Sequence, residues 1–212
     1  MITELYDRYL QNPKICTDTR KISSGCLFFA LKGPHFNGNE FAKEALKKGA
    51  SYAIVDDEFY PADDRYILVK NSLTTLQELA RFHRKQLKCK ILGITGSNGK
   101  TTSKELCLQV LKKKYNTMAT LGNLNNHIGV PLSILSITSN TEIAIIEMGA
   151  NHINEIEFLC GIAEPDYGVI TNVGKAHLEG FGSLEGVLEA KTELYRYLAT
   201  KNAPVFVKDN DF

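Results

Sequence analysis

A run of seven residues, 96–102, has the composition of a turn that binds nucleotide phosphates. Its two glycines would let backbone N–H groups converge on phosphate oxygens, and the N-terminus of a following helix would add partial positive charge. Lys100 supplies a full positive charge, and Thr101 supplies a hydroxyl that could hold Mg²⁺. We therefore predict that ATP binds to this run, through Gly96, Ser97, Asn98, Gly99, Lys100, Thr101 and Thr102.

The run is a shortened form of the P-loop, which has a further glycine where this chain has Ile94. A short Gly-x-x-Gly-Lys-Thr sequence can also be an ordinary turn before a helix. The flanking residues favour phosphate binding, because an apolar strand pattern precedes the run and a helical pattern follows it.

Four polar side chains elsewhere in the chain could act with this loop. Glu147 ends an apolar strand and is predicted to hold Mg²⁺ against the phosphates, although a strand-end carboxylate can also face solvent. His177 follows another predicted strand, where a surface histidine is the alternative. Asn125 and Asn126 lie in a polar loop before a helix and could either hold a ligand or cap that helix.

Alternating strands and helices must position these residues. The patterns predict strands over residues 91–95, 116–119, 142–148, 167–171 and 204–208, and helices over 101–113, 128–137, 154–161 and 183–199. Such alternation implies right-handed crossovers and a mostly parallel sheet. Ligands bind beyond the carboxyl ends of the strands in sheets of this kind, which is where the loop, Glu147 and His177 fall.

The N-terminal part of the chain predicts a separate, smaller α/β unit. Strands are expected over residues 26–31, 52–55 and 66–69, with helices over 40–48 and 73–87. We therefore predict an α/β protein of two domains, residues 1–87 and 88–212.

Composition excludes several classes of protein. With 43% hydrophobic and 23% charged residues the chain is typical of soluble globular proteins, and a net charge of +1 gives no general attraction for nucleic acid. The five scattered cysteines predict buried free thiols and a reducing compartment. The first residues lack a signal-peptide pattern and no apolar stretch could span a membrane, so a cytoplasmic location without membrane insertion is expected.

Six segments together resemble the Mur ligase family, the ATP-dependent enzymes that add amino acids to the peptide of the bacterial cell-wall precursor. They are residues 17–20, 25–33, 94–102, 122–132, 146–152 and 171–186. The sequences at 147–152 (Glu-Met-Gly-Ala-Asn-His) and 176–183 (Ala-His-Leu-Glu-Gly-Phe-Gly-Ser) resemble the members that join D-alanyl-D-alanine to UDP-N-acetylmuramoyl-tripeptide. These two compounds are therefore the expected substrates.

The resemblance implies roles that the residues alone do not. Lys191 lies in a helical pattern that by itself favours an exposed lysine, whereas the resemblance implies that CO₂ carbamylates it. By the same resemblance two Mg²⁺ ions are expected, and the implied metal ligands are Thr101, Glu147, His177 and carbamylated Lys191. The implied catalytic residues are Lys100, Glu147, His177 and Lys191.

The resemblance also assigns the N-terminal unit to the UDP end of the substrate. Thr19, Arg20, Lys32 and Gly33 are the implied contacts to uridine and diphosphate, and Asn125 and Asn126 are further substrate-binding candidates. The implied reaction transfers the γ-phosphoryl group of ATP to the tripeptide carboxylate, giving an acyl phosphate that the amine of D-alanyl-D-alanine attacks. No serine or cysteine nucleophile is needed.

The chain departs from the family in length. Family members have three domains, so the central domain is expected to be incomplete here, and the polypeptide by itself is not expected to complete the ligation. Alternatives are a non-catalytic fragment that binds UDP-sugar or nucleotide, another ATP-dependent ligase such as folylpolyglutamate synthase, and a small-molecule kinase. A kinase has no use for a carbamate at Lys191, and no oligomeric state is predicted.

Overall fold

A computed structural model describes residues 1–58, 63–174 and 178–207 of the chain. The chain divides into two compact units, Met1–His83 and Arg84–Phe212. No helix in the described ranges has both the length and the apolar character needed to cross a membrane.

The first unit is built on a parallel sheet. Its helices are α1 (Ile2–Gln11), α2 (Ala42–Lys47) and most of α3 (Ser72–Gln86), whose last three residues belong to the second unit. Its strands are β1 (Ile15–Cys16), β2 (Leu27–Phe29), β3 (Lys32–Gly33), β4 (Phe36–Asn37), β5 (Tyr52–Val55) and β6 (Tyr66–Leu68). Four strands pair in the order β1-β2-β5-β6, and β3 and β4 form a separate antiparallel hairpin. Small residues of α2, Ala42 and Ala45, pack with Phe28 and Ala53 in the core.

The second unit alternates strands and helices. Its strands are β7 (Lys90–Thr95), β8 (Thr117–Ala119), β9 (Ile143–Glu147), β10 (Tyr167–Ile170) and β11 (Val205–Phe206). Its helices are α4 (Lys100–Leu111), α5 (Gly129–Leu135), α6 (Glu155–Ala163), α7 (Leu178–Phe181) and α8 (Leu184–Thr200). The strands pair in parallel in the order β11-β10-β7-β9-β8, which confirms the predicted mixed α/β fold with mostly parallel sheets.

Strand β7 lies at the centre of this sheet, and its neighbours end level with it. Ile94 pairs with Glu147 of β9, and Thr95 pairs with Ile170 of β10. The residues that follow these three strands therefore meet at one edge of the sheet. This edge carries the candidate site.

Helix α8 packs closely on the sheet because glycines face it. A Cβ atom added at Gly168 of β10 would overlap the side chain of Leu198, and one at Gly93 of β7 would lie 3.2 Å from Leu194. The buried residues of α8 recur at helical spacing, Val187, Ala190, Lys191, Leu194 and Leu198. Lys191 thus belongs to the apolar face of its helix.

Several short elements were not predicted from the sequence. They are β1, the β3–β4 hairpin and α7, each of two to four residues, and the ten-residue helix α1. Helix α1 buries Leu5, Tyr6 and Tyr9 on one face. A strand of two residues is too short to show a periodic pattern, so only its pairing partner defines it.

Candidate functional site

The loop from Gly96 to Gly99 connects β7 to α4 and depends on both glycines. Gly96 has φ 140° and Gly99 has φ 74°, in the region of positive φ that side chains rarely adopt. A Cβ atom at Gly96 would also overlap the Thr171 hydroxyl. Gly99 directly precedes Lys100, the first residue of α4, so the loop ends at a helix N-terminus.

Residues that follow β10 hold the loop in shape. The Ser97 hydroxyl donates to Gly174 O at 3.0 Å, and the Asn98 N–H donates to Asn172 Oδ1 at 3.0 Å. The Thr171 hydroxyl donates to Asn98 O at 2.6 Å. The side chain of Ser97 is therefore engaged within the protein, and its backbone N–H donates to Asn172 O.

Lys100 folds back over the loop. Its Nζ donates to Gly96 O at 2.7 Å and to Ser97 O at 3.1 Å, so the ammonium group sits at the mouth of the turn. Burial lowers the pKa of Lys100, and the negative charge of Glu147 opposes that shift. Thr101 and Thr102 follow at the exposed start of α4.

Glu147 is buried at the end of β9, with 1% of its surface exposed. The Thr101 hydroxyl donates to Oε2 at 3.0 Å, and Asn125 Nδ2 donates to Oε1 at 2.8 Å. The alternative of a solvent-facing carboxylate is therefore wrong. The structure brings Lys100, Thr101 and Glu147, which were predicted for the nucleotide and Mg²⁺, together with Asn125, which was predicted to bind substrate.

The two asparagines of the loop before α5 have different partners. Asn126 Oδ1 accepts from the N–H groups of Ile128 at 3.1 Å and Gly129 at 2.9 Å, which is the helix-capping alternative. Asn125 instead points to Glu147, and its backbone carbonyl accepts from Gly149 N–H at 2.8 Å. Capping by Asn126 orders the loop that presents Asn125.

A cavity of about 350 Å³ lies beside these residues. Its lining combines a cation, amides, a carboxylate and apolar groups, and includes Lys100, Asn125, Asn126, His127, Ala150, Glu155 and Phe158. The Glu155 carboxylate accepts from the N–H groups of Asn151 and His152. Burial raises the pKa of Glu155, but these hydrogen bonds outweigh it, so the net shift is downward and the cavity keeps a negative group.

Lys191 is buried, with 2% of its surface exposed, so the exposed lysine expected from its helical pattern is wrong. Its Nζ donates to Ala150 O at 3.3 Å and lies 5.1 Å from the centre of the Phe181 ring. Burial and the positive charge of Lys100 lower the pKa of Lys191 to about 8. A lysine in the apolar register of an amphipathic helix is the sequence signal of this burial.

Two further buried charges were missed by the sequence reasoning. Lys104 is fully buried in α4, 3.8 Å from Glu147 Oε2. Glu193 of α8 accepts from Asn154 N–H at 2.6 Å and from Glu157 N–H at 2.9 Å, which caps the start of α6. Both lie on the buried faces of their helices, as Lys191 does.

The predicted metal ligands are only partly within the described residues. His177 lies outside them. Residues 1–58, 63–174 and 178–207 hold no group of three His, Cys, Asp or Glu side chains that could bind a metal ion by themselves. Thr101 and Glu147 nevertheless fit Mg²⁺, which is commonly held by one or two carboxylates together with phosphate oxygens of a bound nucleotide.

The residues predicted to bind UDP lie in the first unit. Arg20 pairs with the Asp18 carboxylate at 2.7 Å, and its hydrogen bonds hold the pKa of Asp18 well below its usual range. Lys32 pairs with Asp56 Oδ1 at 2.9 Å and is followed by exposed Gly33. Thr19 O accepts from Lys48 Nζ. The Arg20–Asp18 pair is largely exposed and contributes little, so Arg20 could exchange the carboxylate for a diphosphate at small cost. The Asp56 side chain is 5% exposed, whereas Lys32 is half exposed, so the rule for exposed pairs does not extend to Lys32.

Cysteine burial follows the expectation at most positions. Cys16, Cys26, Cys89 and Cys160 are buried free thiols, whereas Cys107 is half-buried. Burial raises the pKa of Cys160 to about 12, and neighbouring charges change it less. A thiol with such a pKa is a poor nucleophile near neutral pH.

The second unit is thus a parallel α/β domain with a short phosphate-type loop after its central strand and a buried carboxylate after the next strand. The chain belongs to the Mur ligase family. A family described as "Mur ligase middle domain" matches residues 94–212, and one described as "Mur ligase family, catalytic domain" matches residues 14–84.

Two curated relatives of this chain share one name. The chain is 39% identical to the UDP-N-acetylmuramoyl-tripeptide–D-alanyl-D-alanine ligase of Bacillus subtilis, over 98% of this chain and 48% of that protein. It is 40% identical to the ligase of the same name from Escherichia coli, over 93% of this chain and 43% of that protein. The chain therefore spans about half the length of the curated relatives that it matches.

A solved structure extends the similarity to the fold. The MurF ligase of Thermotoga maritima in complex with ADP superposes with a TM-score of 0.84 and 38% identity. The match covers 93% of this chain and 46% of that one.

Proposed function

We propose that this chain carries the ATP-binding and UDP-precursor-binding parts of a ligase that joins D-alanyl-D-alanine to UDP-N-acetylmuramoyl-tripeptide. The observation that carries the proposal is the arrangement of Lys100, Thr101 and Glu147 at the carboxyl edge of the sheet. The relatives of about 40% identity that bear this activity in their names support the choice of substrates.

Nucleotide phosphates would bind against the loop 96–102. Backbone N–H groups at the start of α4 face the phosphates, and Lys100 neutralises them from the mouth of the turn. Thr101 and Glu147 would hold Mg²⁺, which bridges phosphate oxygens and offsets their charge. The similarity to a MurF ligase that was solved with ADP supports this assignment.

The reaction then requires two anions, ATP and the tripeptide carboxylate, to come into contact. The tripeptide carboxylate attacks the γ-phosphorus of ATP, so that a C–O–P bond forms and ADP leaves. The amine of D-alanyl-D-alanine next attacks the acyl carbon, forms the amide, loses a proton and releases phosphate. The residues of this chain position the reactants and reduce their repulsion, and Lys100 is the cation best placed to do so.

The cavity beside Glu147 is the proposed place for the reacting end of the tripeptide. Its amides, from Asn125 and Asn126, and its cation, Lys100, suit a carboxylate that must approach the phosphate loop. We assign residues 88–212 to ATP binding. Residues 1–87 are assigned to the UDP end, through Thr19, Arg20, Lys32 and Gly33.

Carbamylation of Lys191 belongs to the same proposal. A lysine must lose its proton before it attacks CO₂, and burial together with the charge of Lys100 favours that loss. The product, an anionic carbamate, would join His177 as a ligand of a second Mg²⁺. The position of Lys191 beside Ala150, which lines the cavity, supports this role.

Family membership disfavours the small-molecule kinase. A folylpolyglutamate synthase is less well supported than the cell-wall ligase. The relatives that share about 40% identity over almost the whole chain are named as ligases of UDP-N-acetylmuramoyl-tripeptide. The remaining alternative, a fragment that binds its ligands without turnover, would have the same two binding sites as the proposed ligase.

Calorimetric titration of the chain with UDP-N-acetylmuramoyl-tripeptide, and separately with Mg²⁺-ATP, tests the proposal. Lys100→Ala should weaken Mg²⁺-ATP binding by more than roughly tenfold, because a charge-assisted contact to phosphate is lost, and should leave binding of the UDP precursor unchanged. Lys113→Ala, at an exposed lysine beyond the end of α4, is the matched control. Unchanged ATP affinity in Lys100→Ala would refute the loop assignment.

A further inference from the structure

Lys104 is a buried cation to which the proposed reaction gives no role. It lies one helical turn after Lys100 in α4, and its side chain is 0% exposed. Its Nζ donates to Thr120 O at 2.7 Å and to Gly122 O at 3.0 Å. Burial of a lysine costs free energy unless its N–H donors are satisfied, and these two hydrogen bonds satisfy donors of the Lys104 ammonium group.

The ammonium group of Lys104 lies between the ends of two strands. Thr120 and Gly122 belong to the turn that follows β8, and Glu147 ends β9. Glu147 Oε2 is 3.8 Å from Nζ, and the more exposed Glu105 carboxylate is 3.2 Å away. Lys104 therefore joins the turn after β8 to the carboxylate that is proposed to hold the metal.

The same turn leads to Asn125. Leu124 N–H donates to Leu121 O, and the backbone of Asn125 accepts from Gly149 N–H, so the turn and the segment after β9 are linked again. The Thr120 hydroxyl also accepts from the Glu147 N–H at 3.0 Å. A shift of residues 120–122 would therefore move both Asn125 and Glu147.

We propose that Lys104 is a positioning residue: its ammonium group fixes the turn 120–122 against Glu147 and thereby orients Asn125 and Glu147 before any ligand binds. Lys104 donates to backbone carbonyls and lies behind Glu147, so it acts through other residues. Its effect on nucleotide binding rests on the proposed function, whereas its effect on the turn does not.

Two substitutions separate the role of Lys104 from general stability. Lys104→Met keeps an unbranched side chain of similar length and removes the donors, and Lys104→Gln restores an N–H donor without the charge. Lys113→Met makes the same exchange at an exposed position beyond the end of the same helix and is the matched control.

The first measurement is amide hydrogen exchange. In Lys104→Met, exchange at Leu124, Asn125 and Gly149 should be faster by roughly tenfold than in the Lys113→Met control, with Lys104→Gln between them, because charged hydrogen bonds to the turn are lost. Exchange in β10 should not change. Equal exchange in the methionine variants would overturn the inference, and if Lys104→Met does not fold, the same comparison is made with Lys104→Gln.

The second measurement is ADP affinity with Mg²⁺ and with EDTA. Lys104→Met should lose roughly tenfold in affinity with Mg²⁺ and little with EDTA, because Glu147 would act on the nucleotide only through the cation. An equal loss in both conditions would indicate a general defect and overturn the positioning role. If the unsubstituted chain binds no ADP, the proposed function fails, and hydrogen exchange still decides the role of Lys104.

Discussion

Buried charges around the candidate site differ in how well their surroundings compensate them. Glu147 receives hydrogen bonds from Thr101 and Asn125 and lies near Lys104, whereas the described contacts of Lys191 are one long hydrogen bond to Ala150 O and the Phe181 ring. A charge that is poorly compensated favours its neutral form. The protonation of Lys191 should for this reason depend on folding.

We expect the stability of the chain to rise with pH because of Lys191. Its pKa is about 8 in the folded protein and 10.5 for an ordinary lysine, so the unfolded chain binds more protons between these values. The destabilisation by Lys191 is fully present below pH 8 and is lost as pH rises toward 10.5. The free energy of unfolding, compared with that of Lys191→Met, should therefore increase by about 3 kcal/mol across this range.

Urea unfolding in CO₂-free buffers from pH 7 to 10.5 measures this increase. The comparison with Lys191→Met removes the contribution of groups that titrate equally in both proteins. A difference between the two proteins that stays constant with pH would contradict the prediction.

Site residues were predicted from sequence where their types and spacing are themselves the signal. The loop 96–102 and Glu147 are examples, because glycines, a lysine and a strand-end carboxylate have a local reason to occur together. Lys104 and Glu193 carry no such signal. Their roles depend on Thr120, Gly122 and Asn154, which are distant in sequence and meet them only through tertiary packing.

At the scale of elements, the site depends on strands β7, β9 and β10 ending at the same edge of the sheet. Strands β7, β9 and β10 were predicted because each is apolar along its length, and helices α4, α6 and α8 because their patterns are long. Two-residue strands such as β1 and β3 were missed, since their partners alone define them. The loop after β7 is tightest at Gly96, which approaches Thr171 after β10.

Gly96→Ala should therefore destabilise the second unit by about 2 kcal/mol or more, because alanine is strained at φ 140° and its Cβ would overlap the Thr171 hydroxyl. Gly161→Ala is the matched substitution inside α6, where an added Cβ meets no atom within 4 Å. It should instead stabilise the protein by about 0.5–1 kcal/mol, because alanine favours helix. Chemical denaturation of both variants provides the comparison, and a similar effect of the two exchanges would contradict the assigned strain.

At the scale of the whole molecule, the two units carry different proposed ligands. The cations considered for the UDP end lie in Met1–His83, and the phosphate loop lies in Arg84–Phe212. A ligand stabilises the structure to which it binds, by an amount set by its concentration relative to its Kd. Each ligand should therefore stabilise mainly the unit to which it binds.

We expect Mg²⁺-ADP at a hundredfold excess over its Kd to slow amide exchange in β9 by the equivalent of about 2.7 kcal/mol, with little effect in β5. UDP-N-acetylmuramoyl-tripeptide should have the reverse effect. Ile145→Val in β9 and Ile54→Val in β5 are matched markers, because both isoleucines are fully buried and each exchange should destabilise its own unit by about 1 kcal/mol. If either ligand protects β5 and β9 equally while each valine variant affects only its own strand, the assignment of the two ligands to separate units is wrong.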